Sequence, residues 1–212
     1  MTTTSSLWED TKTFFPLFLT HLQQRKAQSV CVVGASDGKF VLPLARLGIR
    51  VLAIERDPTA VDGGPVTLPG SVPGTMAGLR KRLADEGLTE HVQIVQADLV
   101  TVSESTKPVD AVWTSCSWHY SVNHSRPLAD FIRVMRNLCR PAGGVFGAEY
   151  MMPVEPRHFA IEHYLPEGHV GAYLSGWRVD WETYTPPFVE APHVEQLTEH
   201  VHRMGLIIAT RP

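Results

Sequence analysis

The chain has 212 residues, 43% hydrophobic and 19% charged, with a formal net charge of −3. That length suits one α/β domain over 1–212 and is tight for two, and the composition excludes wholesale disorder. A basic excess of the kind that grips nucleic-acid phosphates is missing, so no nucleic-acid partner is expected.

Three cysteines, Cys31, Cys116 and Cys139, form no CxxC pair and fit reduced thiols in a cytoplasmic protein. The start of the chain lacks a signal-peptide pattern, and its longest apolar run, Phe14 to Leu19, is too short to cross a bilayer. No membrane partner is expected, and the chain is expected to act as a monomer or homodimer.

Leu7, Trp8, Thr11, Phe14, Phe18 and Leu22 recur at helical spacing over 6–25, and Pro16 divides them into two short helices, with Thr13 a cap for the second. Residues 1–27 would thus form a helical cover. Ser29 to Val33 reads as a buried strand ending at Gly34. A helix opens at Gly38, carries Phe40, Leu44 and Leu47 on one face, and stops at Gly48. Ile49 to Ile54 is the second strand.

Residues 57–74 hold eight prolines and glycines and read as a loop long enough to help cover a site. Met76, Leu79 and Leu83 mark a helix closed by Gly87. His91 to Gln96 and Val109 to Thr114 are the next strands. Ser125 caps a helix striped by Leu128, Phe131, Ile132, Met135 and Leu138. A Pro141–Gly144 turn leads to a strand from Val145 to Glu149. Residues 177–184 and 201–210 read as two last strands, a hairpin-like pair with a proline-broken loop between them. Strands alternating with helices imply a Rossmann-like, doubly wound, mostly parallel sheet with helices on both faces.

Gly34-Ala35-Ser36-Asp37-Gly38 joins a buried strand to a helix start. Small residues there let a ligand approach the backbone, and the helix offers free N–H groups. A plain strand-to-helix turn is the alternative. Glu55 ends the second strand, about 20 residues on, where an acid can accept hydrogen bonds from ribose hydroxyls. Asp98, just past the third strand, can accept from an adenine amino group. All three fall on the carboxyl edge of one sheet, where such folds bind ligands. A dinucleotide turn would want glycine at 36 or 39, which this chain lacks.

With these features the sequence resembles class I S-adenosylmethionine (SAM) dependent methyltransferases over nearly its whole length. The resemblance also rests on Ala53-Ile54-Glu55-Arg56-Asp57-Pro58, Gln96-Ala97-Asp98, Asp110-Ala111-Val112-Trp113, Arg140 to Gly144, and Leu165 through Val179. The Trp8 segment and compact size are most similar to the thiopurine and tellurite-resistance branch. The resemblance implies a seven-stranded sheet with an antiparallel last strand, SAM as cofactor, and methyl transfer to a small-molecule nitrogen, oxygen, sulfur or other chalcogen acceptor. It assigns Gly34, Ala35, Ser36, Gly38, Glu55, Arg56, Asp98, Leu99 and Ser115 to cofactor binding. Two departures stand out: Val32 where the family often has an acid, and Ser36 where it has a glycine. They keep open a SAM-binding protein without methyl transfer, as a partner subunit or a SAM-fold cyclase or eliminase. Asp37 reads equally as a contact to the cofactor's amino-acid end or as a turn residue.

The resemblance puts the acceptor beyond the fourth and fifth strands. There His119 is the candidate general base or orienting group, since an unperturbed imidazole titrates near pH 6.5; a histidine that only holds the loop is the alternative. Glu149 would orient His119, bind a cationic substrate or cap a helix. Tyr150 and Trp118 would wall the site or belong to the core. Arg157 and Arg203 would neutralise an acidic substrate or lie on the surface. His158 and Glu162 would be neighbours if helical. His200 and His202 would share a strand face and, with His193, could ligate a metal; with no second ligand motif, no metal is expected.

Overall fold

The computed structural model describes Leu7 and residues 14–102 and 106–212. Trp8, Thr11 and Thr13 lie outside the described residues. So does most of the first of the two expected N-terminal helices.

A seven-stranded sheet organises the chain. Its strands are β1 (Ser29–Val33), β2 (Arg50–Glu55), β5 (Val92–Gln96), β6 (Ala111–Ser115), β7 (Val145–Met151), β8 (Arg178–Tyr184) and β11 (Met204–Thr210). Their order is β5-β2-β1-β6-β7-β11-β8. The pairs from β5 through β7 are parallel, while β11 runs antiparallel to both β7 and β8. The last two strands in the chain's long sheet pair directly, as the sequence implies, but β11 slots between β7 and β8.

Alternation along the central strands divides the core in two. Cys31, Val33, Leu52, Ile54 and Val112 face one side, with α5 (Leu128–Leu138). Val30, Val32, Val51, Ala53 and Trp113 face the other, with α1 (Phe15–Gln24), α2 (Val41–Arg46) and α4 (Leu79–Asp85). Near-continuous apolar strands are what two covered faces require. On the second side Trp113 is fully buried, with Phe18 4.6 Å, Phe15 5.5 Å and Phe40 5.6 Å from its ring.

Several boundaries differ from the sequence reading. Residues 57–74 are not loop. Asp57 accepts the Thr59 N–H at 2.8 Å and caps α3 (Pro58–Asp62), and a two-stranded ribbon follows, β3 (Gly64–Leu68) and β4 (Val72–Met76). Proline fits a ribbon because each strand has an open side where a missing N–H goes unnoticed. Met76 therefore ends a strand instead of starting a helix. α2 starts at Val41, three residues after Gly38, and Leu47 lies half-exposed beyond its end. Ser125 does not cap α5; the Leu128 N–H is taken at 3.2 Å by Glu162, distant in sequence, so a tertiary partner replaces the local one. The expected strand over 201–210 splits: β10 (His200–His202) pairs with β9 (Phe188–Glu190), inside the stretch read as loop, and the chain then enters β11.

Gly147 sits beside Trp113 in the sheet, and a Cβ there would meet Phe18 at 2.5 Å and Trp113 at 3.0 Å. Filling space in a packed core costs about 1–3 kcal/mol. Gly147→Ala is therefore expected to lower the free energy of unfolding by that amount. A denaturant midpoint equal to wild type would show that the Phe18 ring has room to yield.

Candidate cofactor and acceptor site

The parallel strands β1, β2, β5, β6 and β7 all deliver their carboxyl ends to one edge. A cavity of about 650 Å³ opens there, within the range that holds small molecules and cofactors. Gly34, Ser36, Glu55, Arg56, Asp98, Leu99, Ser115, His119 and Glu149 of the expected site line it; Ala35, Gly38 and Tyr150 do not.

The turn after β1 is lashed to the tip of β2. The Gly34 and Ala35 N–H groups both donate to the Ile54 carbonyl, at 3.0 and 3.1 Å. The Ser36 N–H donates to Glu55 Oε2 at 2.8 Å, and Glu55 Oε1 accepts from Arg56 at 2.8 Å and Asp57 at 2.9 Å. One carboxylate thus gathers three backbone amides. Ser36 holds φ +49°, a left-handed conformation in which glycine would be at ease.

Gly34 holds φ +70° and packs closely on the loop after β6: a Cβ there would meet Ser117 Cβ at 2.8 Å. Ala35 is fully buried in the core, and Gly38 serves helix packing, since a Cβ there would meet Leu79 at 2.7 Å and clash with Leu42. Asp37 is buried, 3.3 Å from Arg82, and accepts the Leu7 N–H at 3.0 Å. Its carboxylate anchors the turn and does not face the cavity.

On the far side of β2, Asp98 accepts the Val100 N–H at 3.1 Å and lies 3.4 Å from Arg126. The Ala97 N–H donates to the Glu55 carbonyl at 2.9 Å, and Leu99 adds a buried apolar surface. Arg56 donates to Asn123 Oδ1 at 3.2 Å, and Asn123 Nδ2 donates to the Ser117 carbonyl at 2.9 Å. This clasp ties the β2 tip to the loop after β6. Asn123 and the buried Lys39, which sits 4.6 Å from the Phe40 ring, both line the cavity and escaped the sequence reading. Neither falls in a pattern that marks a ligand-facing residue.

Ser115 and Cys116, the latter at φ +50°, line the cavity beyond β6. His119 lies 4.3 Å from the Tyr120 ring and edge-on to Tyr164 at 5.8 Å. Burial pushes its imidazole down to about 4, against a small opposing effect of the Cys116 backbone. His119 is therefore neutral across the physiological range. Glu149 is fully buried, lines the cavity and accepts the Phe14 N–H at 3.3 Å through Oε2. Tyr150 points the other way, as the strand pleat dictates. It stacks on Trp118 at 5.9 Å in the core, with its ring over Gly205.

Arg157 pairs with Glu155 at 2.6 Å and Arg203 with Glu167. His158 sits in a single 3-10 turn and stacks on Tyr164 at 4.3 Å, while Glu162 turns away to Leu128 and Tyr173. His193, His200 and His202 line the remaining wall together with Glu190.

The strand order, the antiparallel insertion of β11 and the strand-tip cavity define the Rossmann-like fold of class I methyltransferases. No protein-family model matches the sequence, and no curated protein matches it either. Solved structures do match. TehB from Haemophilus influenzae superimposes with a TM-score of 0.67 at 13% identity, covering 93% of this chain and 62% of TehB. The chain thus spans less than two thirds of that protein's length. Magnesium protoporphyrin IX methyltransferase from Synechocystis, with SAM bound, gives 0.62 at 15% identity, over 97% of this chain and 80% of that one. The [4+2]-cyclase SpnF gives 0.58 at 14% identity, over 92% and 81%.

The His119 environment has a consequence for stability. The unfolded chain binds a proton at this ring below about pH 6.5, whereas the folded chain does so only near 4. Between these values the unfolded state holds more protons, so stability present above 6.5 is lost as pH falls toward 4. The difference corresponds to about 3 kcal/mol. His119→Asn is expected to show a shallower decline than wild type over that window in denaturant titrations; parallel declines would mean that the ring is solvated.

Proposed function

We propose that the chain is a SAM-dependent methyltransferase acting on a small molecule with a nitrogen, oxygen, sulfur or other chalcogen acceptor atom. The observation that carries this reading is the Glu55 carboxylate. Three backbone amides orient it at the tip of β2, beside the Gly34 turn that lines the same cavity.

The residues fit the cofactor by chemistry. Glu55 accepts from the ribose, Asp98 from the adenine amino group, and Leu99 gives the base an apolar surface. Gly34 and Ser36 line the path of the amino-acid portion, with Ser115 at its end and Arg56 closing the rim. SAM supplies a methyl group on a positive sulfur, which leaves as a neutral thioether once the acceptor's lone pair has taken the methyl. The chain must align the acceptor, exclude water and accept a proton where the acceptor has one to lose. His119, neutral, accepts a hydrogen bond from the acceptor and orients it. Glu149 offers a buried carboxylate to a cationic or hydrogen-bond-donating substrate. Tyr150 supports this wall from behind, through its stacking on Trp118.

A second reading has its own observation. The Gly34 and Ala35 amides are both taken by Ile54, so the turn has fewer free donors than a glycine-rich one. With Val32 and Ser36 where the resembled family has an acid and a glycine, this supports a chain that binds SAM without spending it, and the cyclase SpnF has a similar fold. Conversion of SAM to S-adenosylhomocysteine in the presence of an acceptor panel separates the two. No helix among the described residues is long and apolar enough to cross a membrane. Three free thiols, Cys31, Cys116 and Cys139, fit a reducing compartment, and we place the protein in the cytoplasm as a monomer or homodimer.

By calorimetry, Glu55→Gln is expected to weaken SAM binding by about 1–3 kcal/mol, the usual loss when a charged hydrogen-bond acceptor is neutralised. Unchanged affinity would remove Glu55 from the ribose role. In single-turnover assays, His119→Ala is expected to lose methyl transfer while keeping SAM affinity. Full activity in that variant would assign the ring to loop packing.

A further inference from the structure

The β9–β10 ribbon brings four side chains to one point on the cavity wall. His200 lies directly across from Glu190 in the antiparallel register, and His202, two residues on, shares its face. His193 arrives from the turn that follows β9. One ligand atom from each of Glu190, His193, His200 and His202 lies within 4.8 Å of all the others. Glu190 Oε2 is 2.9 Å from His202 Nε2, 3.6 Å from His200 Nε2 and 4.0 Å from His193 Nε2. The His200 ring stands nearly perpendicular to that of His202, with centroids 4.4 Å apart.

The tautomer of His200 turns proximity into a constraint. Its Nδ1 is 2.8 Å from the Thr198 carbonyl, and a carbonyl can only accept. Nδ1 therefore carries the hydrogen, and the neutral ring presents a lone pair at Nε2. That lone pair faces the lone pairs of a carboxylate oxygen. Nε2 of both His200 and His202 is shielded from solvent, and both face the Glu190 carboxylate. An imidazole lone pair and a carboxylate converging on one buried point call for a cation between them. The Nδ1–H to carbonyl bond is also the outer contact that orients metal-binding histidines.

We propose that Glu190, His200 and His202, joined by His193, bind one divalent transition-metal ion, zinc(II) foremost. Three imidazoles and a carboxylate are ligands of the borderline kind that zinc takes in tetrahedral sites, at about 2.0–2.2 Å. Such a tetrahedron has its ligand atoms about 3.4 Å apart. The widest separation here therefore closes by a small side-chain rotation. His193 is the most replaceable ligand, because its Nδ1 accepts the Glu195 N–H at 3.3 Å and this tautomer must change before Nε2 can bind the ion. The site lines the same cavity as His119 and Glu149. The sequence reading reached the histidines and set a metal aside for want of a further ligand; Glu190 is that ligand, supplied by strand pairing.

The test uses the full chain without a polyhistidine tag, stripped by chelator. Zinc(II) is titrated in competition with a chromophoric chelator, and cobalt(II) is used as a spectroscopic probe. One ion per chain is expected, with the visible absorption of four-coordinate cobalt and a rise in thermal midpoint on zinc addition. Glu190→Gln and His202→Ala are expected to weaken binding about 100-fold or more, since loss of a group that only supports a metal ligand already costs about 10–100-fold, and His193→Ala about 10-fold. Circular dichroism of each variant confirms that it folds. A stripped wild type that binds no stoichiometric zinc overturns the proposal, as does a folded Glu190→Gln/His202→Ala double variant that binds as tightly. SAM affinity, measured separately by calorimetry, reports on the methyltransferase reading, so either can fail while the other stands.

Discussion

Glu55 holds together the part of the molecule on which every functional statement depends. Its carboxylate spans the gap between the β2 tip and the turn after β1, drawing in the amides of Ser36, Arg56 and Asp57. Charge-assisted bonds of this kind are roughly twice as strong as neutral ones. They help hold Ser36 in its left-handed conformation, at the junction where the strand order reverses direction beside β1. A carboxylate has about four lone-pair directions. With three taken by backbone amides, one remains for the ribose hydroxyl of the proposed cofactor. Turn geometry and the proposed ribose contact thus share one acceptor.

The rest of the fold serves to keep that edge in place. Because β1, β2, β5, β6 and β7 are parallel, their carboxyl ends share one side, and the two-sided core fixes their registers. A one-residue slip would exchange the two faces of a strand. At β7 the same alternation separates neighbours: Glu149 reaches the cavity and Tyr150 does not. Adjacent residues that looked equivalent in sequence serve the site and the core respectively.

Glu55, Asp98 and the strands around them were legible because each is a local pattern: an apolar run, then an acid or a small residue at its end. The α5 stripe was legible for the same reason, its apolar residues recurring at helical spacing. The ribbon at 64–76 was hidden because proline and glycine read as breakers, and only the pairing of the two strands gives them a place. The missing α5 cap was hidden because Glu162 supplies it from 34 residues away. Glu190 was hidden because no spacing links it to His200; they meet through an antiparallel register across a turn. Arg56 was assigned, but its partner Asn123 was not, since an asparagine in a polar loop carries no periodic signal.

Under the proposed methyl transfer, His119 limits which chemistry the cleft can assist. Burial has made His119 a much weaker base than a free imidazole, with a conjugate acid near 4. Such a ring orients a donor well but takes a full proton poorly, because base strength matched to the working pH is what general-base catalysis needs. An alcohol, which must give up its proton as the new bond forms, gains little from it. An amine, a thiolate or a chalcogen oxyanion brings its lone pair already free and needs only alignment and the exclusion of water. Under the proposed methyl transfer, the neutral ring and the buried Glu149 carboxylate favour an amine over an alcohol, and the carboxylate disfavours an anionic acceptor.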